Sequence, residues 1–216
     1  MVKYQTIVFM GIQAFYHKFF ELFLPGTQAG PHVVRLFVAI AIPEEHRYQL
    51  KRLCLGVREA RWVQEDNFHL TLRFIGEIEE PHLPEIVTAL RHVDSEPFSL
   101  SLSGVGHFKR GQQIRSLWAG CHPCVSLNIL QNRIDVGLRQ AGLSPDGRRF
   151  TPHITLGRLK KGSPQSVRDW VEENYLFSCS EFMVEQFVLF DSYLSHTGAI
   201  YSTVEEFPLT RSKGAE

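Results

Sequence analysis

The chain has no excess charge of either sign: 23 lysines and arginines meet 23 aspartates and glutamates, a formal net charge of +0 over 216 residues. Proteins that grip polyanions without regard to sequence carry a clear basic surplus, so that class is disfavoured. A local cluster able to hold one phosphate is not. Cysteine is scarce as well. Cys54, Cys121, Cys124 and Cys179 sit in a chain large enough to bury a core without disulfide staples, so they are read as reduced, structural thiols of a cytoplasmic protein. "CHPC" at 121–124 has CxxC spacing, yet no second pair completes a zinc site and no thioredoxin-like context surrounds it. No uninterrupted apolar run reaches the ~20 residues of a membrane span. A G-x-G-x-x-G, a Walker loop, heptads and low-complexity segments are all missing, which removes the common nucleotide-fold and coiled-coil readings.

Residues 1–33 are rich in phenylalanine, but His17, Lys18 and Glu21 interrupt them and leave a poor signal-peptide core. They are expected to be an extension outside the working domain, which is placed at 34–209, with 210–216 a short tail. Within that domain apolar strands and amphipathic helices interleave. "VRLFVAIAIP" (34–43), "NFHLTLRFIG" (67–76), "FSLSLSGVGHF" (98–108), "IRSLWAGC" (114–121) and "PHITLGRL" (152–159) read as strands. So do "EFMVEQFVLFDSYL" (181–194) and "AIYSTVEEFPL" (199–209), joined at a Thr197-Gly198 turn. Helices are expected over 44–60, 81–94, 125–142 and 163–176, the last capped by Ser163 with Pro164 at its first position. The order, βαβαββ then αβαββ, predicts an α+β fold of two similar lobes.

The chemistry lies in an internal echo. "FHLTL" at 68–72 and "PHITL" at 152–156 share His, an aliphatic residue, Thr and Leu, 84 residues apart. With 10 histidines in the chain, about 0.4 His-x-Thr matches are expected by chance, and only about 0.02 once the flanking apolar residues are required. Two are therefore hard to attribute to accident. Side chains alternate along a strand, so His69 and Thr71 share one face while Leu70 and Leu72 take the other; His153 and Thr155 repeat this against Ile154 and Leu156. Two imidazoles and two hydroxyls converging on one cleft suit a phosphodiester. One ring takes a proton from the nucleophile, the other gives one to the leaving oxygen, and the hydroxyls donate to the non-bridging oxygens. No metal or cofactor is expected, because neither motif brings the nearby Asp, Glu or extra His of a coordination shell.

These residues resemble the two-histidine (2H) phosphoesterase superfamily, and within it the LigT-like RNA 2′,3′-cyclic phosphodiesterases. The likeness runs through "RLFVAIAIP", "WVQEDNFHLTLRFIGEI", "SLWAG", "FTPHITLGRLK" and "FVLFDSYLSHTGAIYSTVEEFPL", about residues 34–209. It implies a bilobal α+β fold: two pseudo-symmetric lobes of antiparallel sheet, helices outside and a central cleft. It implies His69 as proton donor and His153 as proton acceptor, with Thr71 and Thr155 on the phosphate. The substrate it implies is an RNA end or nucleotide bearing a 2′,3′-cyclic phosphate. The chain itself is expected to act as a monomer, although its near-zero net charge leaves a weak dimer equally open. Phe74 and Arg158, each five residues after its histidine, are implied to hold the terminal base, yet an odd offset puts them on the wrong face of an ideal strand. Lys109-Arg110 and Arg148-Arg149 are basic pairs in expected loops, and Trp62 and Trp118 are read as packing residues. Other scissile groups (cyclic nucleotides, 2′–5′ oligonucleotides, ADP-ribose cyclic phosphate, RNA end joining in reverse) and a noncatalytic RNA-end binding module are the competing readings.

Overall fold

The structure, a computed structural model, describes residues 32–160, 163–194 and 198–210. The described residues from Val33 on belong to one compact unit. Nearly all of the extension read at 1–33, the tail beyond residue 210 and Thr197 of the expected turn lie outside the described residues.

Among the described residues, one large sheet carries this unit. Its strands are β1 (Val33–Ala41), β2 (Ala60–Trp62), β3 (His69–Glu79), β5 (Leu102–Arg110), β6 (Gln113–Cys121), β7 (His153–Leu159), β9 (Gln186–Leu194) and β10 (Ala199–Pro208). They run in the order β10-β9-β1-β3-β7-β6-β5, with β2 added to β7, and every pairing is antiparallel. Two short strands, β4 (Phe98–Leu100) and β8 (Phe182–Val184), pair apart from it. Four helices complete the unit: α1 (Glu44–Lys51), α2 (Leu83–Arg91), α3 (Val125–Gln140) and α4 (Pro164–Asn174). This is an α+β fold whose two halves, β10-β9-β1-β3 and β2-β7-β6-β5, meet at a single pair, Leu70 opposite Ile154.

The apolar period of each helix explains where it packs. Leu127, Leu130, Ile134 and Leu138 of α3, spaced at helical period, are all fully buried, as are Val167 and Trp170 of α4. They join Leu70, Leu72, Ile154 and Leu156 in one hydrophobic cluster, so the helices cover the aliphatic face of the two His-Thr strands. Burying four such leucine-sized side chains contributes roughly 6–12 kcal/mol. That anchors the opposite face, with its histidines, to a rigid base.

Three expected elements come out differently. The helix read over 44–60 stops at Lys51: the Leu53 and Cys54 N–H groups bond three residues back, to Leu50 and Lys51, and the Leu55 N–H bonds to the Leu53 carbonyl, which also accepts the Trp170 indole N–H at 2.9 Å. Gly56 then turns the chain at φ +85°, and residues 60–62 form β2. The strand read over 98–108 breaks at Ser101, and that over 181–194 breaks at Glu185, because β4 and β8 pair with each other and leave the large sheet. Ser163 caps α4 as expected, its hydroxyl accepting from the Ser166 N–H.

Candidate active site

β3 and β7 each begin at their histidine, and they touch at the next residue, Leu70 against Ile154. Counting outward in this antiparallel register sets His69 against Thr155 and Thr71 against His153, all on the face away from the core. The burial strings agree: both strands begin with half-buried His, buried aliphatic, half-buried Thr, buried Leu. The structure therefore brings all four motif side chains together around a local two-fold axis.

The rings are held alike. His69 Nδ1 donates to the Asn67 carbonyl at 2.8 Å and His153 Nδ1 donates to the Thr151 carbonyl at 2.7 Å. A carbonyl only accepts, so Nδ1 carries the proton in the neutral ring and Nε2 is left with its lone pair for chemistry. Asn67 is itself tied down, its side-chain amide donating to the Ala199 carbonyl of β10 at 2.9 Å.

The positions of Phe74 and Arg158 follow from bulges. Along β7 the partners of Leu117 and Trp118 are Gly157 and Thr155, so Leu156 is an extra residue. Along β3 the partners of Val38 and Ala39 are Arg73 and Thr71, so Leu72 is extra in the same way. Each bulge shifts the alternation by one and turns the fifth residue after the histidine to the cleft face. Phe74 is 45% exposed there and shares Phe37 as a ring neighbour with His69, at 6.2 and 4.9 Å. Arg158 is exposed and close enough for its charge to act on both imidazoles.

Aromatic rings wall both histidines. His69 meets Phe37 and the edge of Tyr201, at 4.9 and 5.2 Å. His153 meets Phe108 at 4.7 Å and, farther off, Trp118 at 6.4 Å. This burial, more than any other cause, holds both histidines below the ordinary value, His69 down to about 4, and the Arg158 guanidinium pushes the same way. The consequence for stability has a definite sign. Between pH 6.5 and 4 the unfolded chain takes up a proton at position 69 that the folded chain refuses, so stability falls as pH falls through that window. The loss is on the order of 2 kcal/mol. Denaturant midpoints measured from pH 7 to 4 are expected to fall less steeply in His69→Gln than in the wild type.

Arg148 is the other side chain at the cleft. Asp146 grips its guanidinium through both oxygens at 2.9 Å, and the guanidinium lies 5.1 Å from the centre of the Phe74 ring. Asp146 also pairs at 3.4 Å with Arg73, which is only 6% exposed. Arg73 pairs further with Asp135 at 3.1 Å and donates to the Ser144 carbonyl, pinning the loop that leads to His153. Neither Arg73 nor Asp146 stands out in the sequence. Phe37, Phe108 and Tyr201 are likewise invisible there, since each reads as an ordinary strand aromatic. Trp62 packs on Trp170 as expected, whereas Trp118 lies beside His153. Lys109 and Arg110 end β5, not a loop, and are exposed. Cys54 and Cys121 are free thiols pushed up by burial to about 11, which makes them unreactive at neutral pH. Among the described residues no three His, Cys, Asp or Glu side chains gather in a group suited to a metal ion, and no helix is long and apolar enough to cross a membrane.

Comparison with known proteins identifies this arrangement. The family model described as LigT like Phosphoesterase matches the chain twice, at residues 40–118 and 123–201, once for each His-Thr motif. An RNA 2′,3′-cyclic phosphodiesterase of Archaeoglobus fulgidus is 33% identical over 177 residues, covering 81% of this chain and 99% of the relative. The protein of that name from Thermotoga maritima is 35% identical over 179 residues, covering 80% and 94%. Among solved structures, E. coli LigT complexed with 3′-AMP superposes with a TM-score of 0.69 at 27% identity, covering 83% of this chain and all of that one.

Proposed function

The chain belongs to the LigT-like phosphoesterases, and from that premise we propose that it hydrolyses the 2′,3′-cyclic phosphate at RNA ends to a 2′-phosphomonoester without a metal. The observation that carries this reading is the pair of histidines at the starts of two adjoining antiparallel strands, each with Nδ1 fixed on a carbonyl. The relatives' activity on 2′,3′-cyclic phosphates supports the choice of substrate.

In this mechanism neutral His153 takes a proton from water through Nε2 as the water oxygen forms its bond to phosphorus. The P–O3′ bond breaks on the opposite side, and protonated His69 delivers its proton to the departing 3′-oxygen. The Thr71 and Thr155 hydroxyls donate to the non-bridging oxygens, Phe74 stacks on the terminal base and Arg158 offsets the phosphate charge. The catalytic unit is 34–209, with 1–33 an extension and 210–216 a tail that take no part in the chemistry. The four free thiols suit a reducing compartment, so we place the protein in the cytoplasm, as a monomer.

The ionisation of the free protein makes this testable. Both histidines titrate below the ordinary value, so kcat/KM for a 2′,3′-cyclic nucleotide is expected to peak on the acid side of pH 6.5. Arg158→Ala removes a cation that lowers both, and the peak is expected to move to higher pH. Initial rates from pH 4 to 8 decide it: a peak above pH 7, or one unmoved in the variant, would count against this site. The profile reports the pair of values and does not say which ring is donor.

A further inference from the structure

Beyond the reacting phosphate, the cleft floor carries a second cation that the mechanism does not use. β2 pairs with β7 so that Ala60, Arg61 and Trp62 lie opposite Leu159, Arg158 and Gly157. Leu159 is buried and Trp62 packs on Trp170 of α4, so these two mark the core face. Arg61 and Arg158, the alternate pair, therefore both project from the cleft face. The register is enforced locally. A Cβ at Gly157 would come within 2.8 Å of the Trp62 ring, so only glycine there lets β2 lie this close. The row continues across the sheet: Arg158 is opposite Ser116 and Ser116 opposite Phe108, the ring that packs against His153.

Two guanidinium groups directly opposed across antiparallel strands repel, and a sheet gains nothing from the arrangement. Elsewhere in the unit Arg73 is answered by Asp135 and Asp146, Arg91 by Glu205 and Arg148 by Asp146. Among the described residues neither Arg61 nor Arg158 has an ion pair or side-chain hydrogen bond. The ligand that resolves this repulsion is an anion. At the other end of the cleft the corresponding place is taken by Phe74, with Arg148 neutralised by Asp146. One end is thus aromatic and the other cationic.

We infer that Arg61, beside Arg158 at the reacting phosphate, forms a subsite for the phosphate on the 5′ side of the terminal nucleoside, so that the cleft reads an RNA end as base at Phe74 and preceding phosphate at Arg61. This rests on the cyclic-phosphate reading of the same cleft. It makes the protein selective for nucleotides with a 5′ phosphate group over nucleosides lacking one, and that group is either an internucleotide diester or a terminal monoester.

Binding tests the subsite apart from turnover. The probe is a fluorescent RNA trinucleotide ending in a 2′-phosphate, with Kd measured from 50 to 300 mM KCl. Arg61 is exposed, so Arg61→Ala folds. It is expected to bind about tenfold more weakly and to flatten the log Kd against log salt line by about 0.7. Arg61→Lys is expected to restore the slope. In rates, the ratio of kcat/KM for a cyclic-ended dinucleotide to that for a 5′-hydroxyl cyclic mononucleotide is expected to fall about tenfold in Arg61→Ala. A 5′-phosphorylated cyclic mononucleotide that matches the dinucleotide would assign the subsite to a monoester, and one that falls short would assign it to the diester. A wild type that does not bind the trinucleotide, or an Arg61→Ala variant with the wild-type slope, would overturn the inference. Arg61-dependent binding without hydrolysis of any cyclic end would uphold the subsite and sink the hydrolase reading instead.

Discussion

His153→Ala and His69→Ala are each expected to lower kcat on a 2′,3′-cyclic nucleotide by at least ~10²-fold, with losses of ~10⁴-fold within reach. The size follows from what each ring does. A general base or acid contributes through a proton moved in the transition state, and alanine leaves only water in its place. Because the two protons move in one displacement, the double variant is expected to be little slower than the worse single one. Thr71→Ala and Thr155→Ala remove one neutral hydrogen bond each and cost less. A nearly active His69→Ala or His153→Ala protein, assayed with folding confirmed by circular dichroism, would remove the two-histidine mechanism.

The second large effect is structural and lies at Arg73. Its guanidinium is buried between Asp135 and Asp146 and donates to the Ser144 carbonyl. Removing one partner of a buried pair costs about 3–5 kcal/mol when the other charge is stranded. Here each carboxylate keeps a second arginine, Arg139 for Asp135 at 3.0 Å and Arg148 for Asp146 at 2.9 Å. The lower end applies, about 3 kcal/mol for Arg73→Met, or roughly 6–12 °C in Tm for a domain of this size. Thermal unfolding followed at 222 nm reads it directly, and a Tm within 2 °C of wild type would show the network to be ornamental. The loop so pinned carries Thr151, the acceptor for His153, so the variant tests whether stability and the catalytic register share one support.

The histidines and threonines were legible because strand alternation is local: His-x-Thr over a Leu-x-Leu face needs no knowledge of neighbours. Burial confirms that alternation in both strands. The cleft positions of Phe74 and Arg158 were not legible, since bulges at Leu72 and Leu156 arise from how β1 and β6 pair, and an unbroken alternation puts both side chains on the core side. β2 was hidden for a related reason. Three residues carry no period of their own, and the helix read through them ends early in a tight turn at 52–56, held on its far side by an indole from α4, over a hundred residues on, that bonds to the Leu53 carbonyl. Arg61 was hidden with it, as were Arg73 and Asp146, whose meaning comes only from a loop folding back onto β3. The two-lobe symmetry was legible from the repeat; that the halves join in one sheet at Leu70 and Ile154 was not.

The most direct test of the central claim is the product formed from a 2′,3′-cyclic nucleotide incubated with the purified protein in excess EDTA, with phosphorus NMR distinguishing the isomers. The mechanism predicts the 2′-phosphomonoester at full rate. A 3′-phosphomonoester, or an inert protein that regains activity when zinc is restored, would contradict it.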